Sequence, residues 1–483
     1  MQKYGRINKC INERRNKMKA YEKLEKNIKE NKNITEKNRE GLMSFLEEEH
    51  PGDVLFTKWD YPQIIKKGKG NKIWDVDGKE YIDCISGMST MNIGHGDQRV
   101  ADVLQKQYME LDNWFDFPTP ERIKLVKKLI EITPGDYKKR VRLGLSGSDA
   151  VEVAIRTAKY HTKKTHVISF YGGYHGETAA TIGLTAAGGM HRWFNPGQMA
   201  DTCLERFPYA YCYRCPYDKE YGSCDMHCVK VIDQMMSSGQ TSLGNPFSGV
   251  CNVAAMIVEP MQSSSGYIVP PKEFLVGLRK LADKYGFVLI FDEIQTGLGR
   301  SGKMFASEHS GVAPDITLVG KALGAGFPMS AVVGRAEIFE DAAPGFIVST
   351  YAGSSLGCAV GNKVIEIIEG DDYVGIAAKT GEYLGKVLQQ YMDKHKMVGT
   401  FSQRGVYYGI EYVKDRDTKE PAVEETAALV NALRDAGLLC QLNGYYNNRL
   451  SFIPPINITE KEVDEIFEVL DRVTGEIESK YSI

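Results

Sequence analysis

At 483 residues the chain is long enough for about three structural units, or for one large enzyme with a smaller lobe, and it can bury a core without disulfides or metals. With 42% hydrophobic residues, 25% charged residues and 48 glycines, it is neither disordered, nor collagen-like, nor a disulfide scaffold. A formal charge of -3 gives no case for nucleic acid as the main partner, and no run of roughly eighteen apolar residues marks a membrane span.

The charge is uneven. Residues 1–40 hold 13 Lys/Arg against 6 Asp/Glu, and a solvated helical extension is preferred over a contact with an acidic or membrane surface. The start of the chain is polar and basic with no apolar run behind it, which predicts no secretory signal, a cytoplasmic location and reduced cysteines. Residues 11–32 predict a loosely held helix, and Thr35 predicts the N-cap of a second one carrying Leu42, Met43, Phe45 and Leu46 and stopping before Pro51. Residues 72–82 read as a hairpin turning at Asp77-Gly78.

From about residue 96, helices alternate with short apolar strands at 141–145, 166–170, 253–258, 287–291, 316–319 and 331–333, with helices such as 150–160 and 271–285 between them. That alternation predicts an α/β domain with a mostly parallel sheet. Beyond about residue 345 the pattern becomes helical to His395, then hairpin-like near 406–413, then helical again, which predicts a smaller α+β lobe. The expected divisions are a basic helical extension (1–45), a first part of the small domain (46–90), a large domain (91–344) with a Cys-rich insertion at about 203–228, and a C-terminal small domain (345–483).

In a parallel sheet, ligands bind beyond the carboxyl ends of the strands. The residues placed there are Ser146-Gly147-Ser148-Asp149, Tyr171-Gly172-Gly173-Tyr174-His175-Gly176, Glu259-Pro260, Asp292-Glu293 and Gly320-Lys321. Small residues opening a helix suit a phosphate, Tyr174 offers an aromatic face, and an acid and a lysine complete the set. Together they suit an aromatic cofactor with a phosphate tail and an aldehyde, the lysine forming a Schiff base and the acid keeping a ring nitrogen protonated. Singly, each residue is more often structural. The string Gly297-Leu298-Gly299-Arg300-Ser301-Gly302 spells the dinucleotide fingerprint, but five residues separate it from the preceding strand and no crossover helix comes after it, so it is discounted.

The segments 146–152, 174–176, 257–260 and 291–297, with Gly320-Lys321-Ala322-Leu323-Gly324-Ala325-Gly326-Phe327-Pro328 and Thr350-Tyr351-Ala352-Gly353, resemble those of the class III (subgroup II, omega-type) aminotransferases in order and spacing over about residues 50–475. The resemblance implies a fold-type-I α/β architecture, with a large domain around a mostly parallel sheet and a smaller α+β domain built from N- and C-terminal segments, binding pyridoxal 5'-phosphate. It implies Lys321 as the Schiff-base lysine and proton carrier, Asp292 at the pyridine nitrogen, Tyr174 and Ile294 on the two ring faces, and Gln295 at the phenolic oxygen. Gly147 and Ser148 would bind the phosphate, His175 would lie with the cofactor-binding residues, and Thr350 would reach the phosphate of a neighbouring subunit. That last role makes a homodimer, or a dimer of dimers, the expected unit. Glu259 resembles a family acid near the cofactor, with a structural role equally open.

The chain also departs from the pattern. Family members that handle glutamate and a terminal amino acid carry an arginine three places before a Pro-Pro and a glutamate five places beyond the Glu-Pro acid; here those positions are Ser451 and Ser264. The arginine directly after Tyr-His-Gly in 4-aminobutyrate enzymes is Glu177 here, which points to a cationic or amino-bearing donor unless it faces solvent. Arg449 and Arg404 are the candidates for an acceptor carboxylate. In the insertion, Cys212, Cys215, Cys224 and Cys228 are spaced closely enough to wrap one zinc ion, but the spacing fits known knuckles only loosely, and packed thiols without metal are preferred.

The function expected is transfer of an amino group from an amine or amino acid to a 2-oxo acid, pyruvate or 2-oxoglutarate. The alternative is a racemase, decarboxylase or lyase on the same scaffold, because the cofactor stabilises whichever carbanion the site creates. A cofactor-binding regulator using the basic arm is disfavoured by the presence of Lys321, Asp292 and Thr350 together.

Overall fold

The computed structural model describes residues 22–48, 60, 62–115, 117–187, 203–245, 247–343 and 345–483. Residues 22–30 and Glu36–Glu48 form two helices that bury Leu24, Ile28, Ile34, Leu42 and Leu46 between them. Charge alone predicted a loosely held helix, yet this segment has its own small core; residues 11–21 and Pro51 lie outside the described residues. Thr35 Oγ1 accepts from the Asn38 N–H at 3.3 Å and so caps the second helix. Arg39 donates to the carbonyls of Lys29, Asn31 and Ile34 at 2.7, 3.0 and 2.9 Å, satisfying acceptors that the first helix leaves open at its C-terminal end.

Next come three antiparallel strands, β1 (Ile65–Lys69), β2 (Lys72–Asp75) and β3 (Glu80–Asp83), with Gly78 at φ +85° turning the chain after Asp77. Thr35 Oγ1 donates to Asp77 at 2.6 Å and ties the helical pair to this turn. Leu438–Leu439 joins β3 in parallel, so segments from both ends of the chain share one sheet.

The central sheet is built from β4 (Lys139–Gly144), β5 (His166–Phe170), β6 (Leu204–Phe207), β7 (Val253–Val258), β8 (Val288–Asp292), β9 (Ile316–Val319) and β10 (Ser330–Arg335), in the order β4-β10-β9-β8-β7-β5-β6. Only β10 runs antiparallel to its neighbours. Every residue of β5, β7, β8 and β9 is buried, because helices cover both faces. Ala255, Ile257, Ile290 and Leu318 meet helix α1 (Gly147–Thr162) through Val151, Ala154 and Ala158. The alternate residues Met256, Val258, Leu289 and Phe291 meet helix α2 (Lys272–Tyr285) through Phe274, Leu278 and Leu281. Each fully buried Leu, Ile or Phe in these layers contributes about 1.5–3 kcal/mol.

Two expectations need correction. Residues 204–207, assigned to a Cys-rich insertion, are edge strand β6, pairing Val167 with Leu204 through Phe170 with Phe207. The hairpin expected near 406–413 is only the second arm of a longer one: β11 (Val398–Arg404) turns through Gly405 at φ +54° into β12 (Tyr407–Asp415). Its sheet continues through Arg449–Phe452, called β13, to Gln441–Asn443 and packs against the helices Tyr373–Lys394 and Glu460–Tyr481. Among the described residues, no helix is long and apolar enough to cross a membrane.

Candidate active site

The carboxyl ends of β4, β5, β7, β8 and β9 bring the marked residues to one rim. Lys321 opens the turn after β9 at φ +44°, a left-handed conformation that costs a non-glycine residue about 1 kcal/mol or more. Burial pushes its ammonium below the ordinary lysine range, while the charges of Asp292 and Glu259 hold part of that shift back. An amine more readily deprotonated at neutral pH is a better nucleophile and proton acceptor.

Asp292 ends β8 and is 5% exposed. His175 Nδ1 lies 2.8 Å from Asp292 Oδ2, and the Ile294 N–H donates to Asp292 Oδ1 at 3.2 Å. The imidazole is itself buried, and the backbone N–H of His175 donates to Thr185 Oγ1, so the His–Asp pair is fixed in orientation. The neighbouring acid, Glu293, is turned to structural use. It accepts from the N–H groups of Ala306 and Ser307 at 3.0 and 2.7 Å and holds the start of the short helix Ala306–Ser310. The glycine string 297–302 runs through turns into that short helix, and no crossover helix opens from it.

Glu259 accepts from the Tyr174 N–H and the Ser263 N–H, each at 2.9 Å, and from the Ser263 hydroxyl. Burial raises its pKa; His175 and the Ser263 bond pull it back, and Asp292 pushes it further up. Its geometry is that of a brace joining the Tyr174 turn to the 262–268 loop. Tyr174 is half-buried, its phenol pushed up to about 12 by burial and then by the charge and hydrogen bond of Glu177, so Glu177 lies beside that ring while itself exposed.

A Cβ on Gly147 would stand 3.1 Å from Ile294, and one on Gly176 would stand 2.2 Å from the Ser148 hydroxyl. The start of α1, the Tyr174-His175-Gly176 turn and Ile294 therefore close on one another. Ser146 caps α1, accepting from the Asp149 N–H, which leaves the first amides of the helix at Gly147 and Ser148 directed outward for an anion. Tyr407 Oη donates to Gln295 Oε1 at 3.5 Å. Thr350 is exposed, and its carbonyl accepts from Asn113 Nδ2 at 3.2 Å. A lowered amine, a His-braced carboxylate, a ring-sized aromatic and a glycine-cleared helix start are the donor set a pyridine aldehyde phosphate requires, and the residues present fit that group.

Arg449 does not match its expected role. The side chain is 1% exposed and all five N–H donors are engaged: Nε with Gly266 O at 2.8 Å, Nη1 with Tyr211 Oη and Glu411 Oε2 at 2.9 Å each, and Nη2 with Ser402 Oγ at 2.8 Å and Gly409 O at 3.2 Å. No donor remains for a substrate carboxylate. Glu411 is the cross-strand partner of Arg449, and it also accepts from Arg214 Nε. A buried Arg–Glu pair is therefore present, two residues along the strand from Ser451, whose own hydroxyl is buried without a partner among the described residues. Arg404 stands exposed at the end of β11, with one long bond to the Gln403 carbonyl at 3.5 Å. Sequence reading missed Glu411, Arg214, Tyr267 and Tyr407, since only strand register and loop docking reveal them.

Cys212, Cys215, Cys224 and Cys228 are free thiols lining a cavity of ≈ 20 Å³ with Tyr211, Tyr217 and His227. Burial, then the proximity of Cys224 and Cys215, pushes the Cys212 thiol up to about 11; burial first does the same to Cys228. Among the described residues, no three His, Cys, Asp or Glu side chains are arranged to hold a metal ion.

The family described as "Aminotransferase class-III" matches residues 56–474. The chain is 36% identical to a leucine/methionine racemase of Thermococcus litoralis, over 86% of this chain and 91% of that protein. It is 33% identical to a 5-aminovalerate aminotransferase of Pseudomonas aeruginosa, over 86% and 94%. Among solved structures, a PLP-bound amine transaminase from an uncultivated Pseudomonas species superposes with a TM-score of 0.78 at 29% identity, covering 86% of this chain and 96% of that one.

Proposed function

The chain belongs to the class-III aminotransferases, pyridoxal-phosphate-dependent enzymes that move an amino group from an amine or amino acid to a 2-oxo acid, and on that premise we propose how its residues divide the work and which donor it takes. Lys321, a buried amine with a lowered pKa, would anchor the cofactor's aldehyde and take up or return the proton at the substrate carbon. Asp292, braced by His175, pairs with the pyridine nitrogen; its 2.8 Å bond to His175 is the observation that carries this assignment. Tyr174 and Ile294 would enclose the ring, Gln295 would face the phenolic oxygen, and Gly147 and Ser148 would hold the phosphate at the start of α1. When bound, the cofactor supplies the electron sink for the carbanion formed at the substrate carbon.

The donor site is selected by Glu177. A carboxylate beside the stacking tyrosine attracts a donor with a second cationic group and repels one ending in a carboxylate, since charges a few ångströms apart near a protein surface are only partly screened by water. With the Arg449 guanidinium filled, Arg404 is the residue left to receive the carboxylate of pyruvate or 2-oxoglutarate. The active unit is a homodimer, in which Thr350 reaches the neighbouring subunit's phosphate. Exposed Tyr108, Met109, Trp114 and Phe117, and across the Asn113–Thr350 bond Val348 and Tyr351, form an apolar surface suited to a second copy.

The test is the visible spectrum of the loaded enzyme before and after a panel of amines, with no keto acid present. A band that one amine bleaches, and that pyruvate or 2-oxoglutarate restores, identifies the donor and supports the reading. The relationship to a racemase gives the competing outcome its shape: a band that shifts without bleaching, with solvent deuterium entering the donor, sinks the transaminase assignment.

A further inference from the structure

Arg449 is too fully engaged to meet substrate, yet it grips the 262–268 loop that Glu259 braces from the other side. Three glycines enclose it: added Cβ atoms on Gly266, Gly409 and Gly444 would stand 2.5, 3.2 and 3.0 Å from its side chain. The side chain therefore has no room to swing, and what it holds matters. Nε grips the carbonyl of Gly266 at 2.8 Å, and Nη2 donates to Ser402 Oγ, whose hydroxyl in turn donates to the carbonyl of Tyr267. Gly266 and Tyr267 lie at φ +94° and +63°. The second value is one that a bulky residue adopts only when its surroundings impose it.

That conformation directs Tyr267 inward. Its ring stacks on Tyr407 with centroids 4.1 Å apart and planes 28° apart, both rings fully buried. The Tyr407 hydroxyl contacts Gln295 Oε1 at 3.5 Å, and the buried Tyr267 hydroxyl lies beside the Gln295 amide. Burial holds both phenols neutral, with Arg300 and Gln295 drawing Tyr267 back only in part. Two neutral hydroxyls, one on the Oε1 side and one beside the amide, bear on which way the amide points and so on which group it turns to the cofactor.

We propose that Arg449 and Tyr267 are positioning residues: Arg449, neutralised by Glu411, locks the left-handed Gly266–Tyr267 pair so that Tyr267 and Tyr407 set the amide of Gln295 toward the phenolic oxygen of the cofactor. This rests on the reading of Gln295 given above. Tyr267 touches neither substrate nor cofactor in this scheme; it acts through the orientation of one amide.

The experiment tracks the pH midpoint of the visible band of the loaded enzyme in wild type, Gln295→Leu, Tyr267→Phe and Arg449→Lys, with kcat and KM for the acceptor measured alongside. Tyr267→Phe keeps the ring stack and the fold. It is expected to move the midpoint in the same direction as Gln295→Leu, by about 0.5 pH unit or more, while kcat falls and the acceptor KM stays within about twofold. Arg449→Lys is expected to do the same, and combining it with Tyr267→Phe adds nothing further. A wild-type midpoint in Tyr267→Phe beside a moved one in Gln295→Leu overturns the positioning role. An unmoved midpoint in Gln295→Leu overturns the reading of Gln295 and this proposal with it. A roughly tenfold higher acceptor KM in Arg449→Lys with the midpoint unmoved makes Arg449 a carboxylate receptor and overturns the proposal.

Discussion

Replacing Glu411 by Leu removes the carboxylate that faces Arg449 and takes an acceptor from Arg214 as well. Both members of the Arg449–Glu411 pair are 1% exposed at the side chain, so water cannot replace what is lost. Breaking one side of a buried ion pair costs about 3–5 kcal/mol, because the remaining charge stays buried without its partner. For a chain of 483 residues the unfolding entropy is about 1 kcal/mol/K, so the melting temperature is expected to fall by about 3–5 °C. Arg449→Met leaves Glu411 with Arg214 but strips hydrogen bonds from Gly266, Ser402 and Gly409, and a loss of similar size is expected. The double variant is the informative one. With both charges of the pair gone, its loss should fall short of the sum of the two single losses by about 2 kcal/mol or more, the remainder reflecting the acceptor taken from Arg214. Calorimetry on the cofactor-free and loaded protein measures it. Losses that simply add in the double variant would falsify the view that these side chains stabilise the wall as a pair.

Lys321 makes stability depend on pH. Its folded pKa is lowered, so the unfolded chain binds the extra proton and stability rises with pH from the lowered value toward the ordinary lysine pKa, by at most about 1.4 kcal/mol per pH unit. The cofactor-free protein should therefore melt higher at pH 10 than at pH 8 relative to Lys321→Met, and parallel pH profiles for the two would refute a perturbed amine. Glu177→Arg is expected to lower kcat/KM for a dicationic donor by about tenfold and raise it for a donor ending in a carboxylate; an unchanged ratio removes Glu177 from donor selection. Metal analysis of protein purified without chelator is expected to find far less than one zinc per chain, and a stoichiometric amount would show that the four thiols close around an ion.

Part of this site was readable from local pattern. Lys321, Asp292, Glu259 and the Tyr174-His175-Gly176 turn stand just beyond the ends of apolar strands in the sequence, and the structure does bring them together. The glycines at 147 and 176 belong to the same reading, since each is required by a close approach. The surroundings of Arg449 and of residues 204–207 were not legible for one reason: each depends on what lies across a strand. Nothing near residue 449 in sequence indicates that Glu411 stands opposite it, and nothing in the Cys-rich segment shows that Leu204–Phe207 pairs with β5.

The sequence by itself determined the alternation of strands and helices, the chemistry at the strand ends and hence the kind of reaction, because short apolar runs and the turn residues that bound them are properties of neighbours along the chain. The tertiary structure alone decided which charges are spent on one another. Arg449, Glu411 and Arg214 come from three separate segments, and whether a guanidinium meets a substrate or a carboxylate of its own chain is set by strand register and loop docking, which put Glu411 directly across from Arg449.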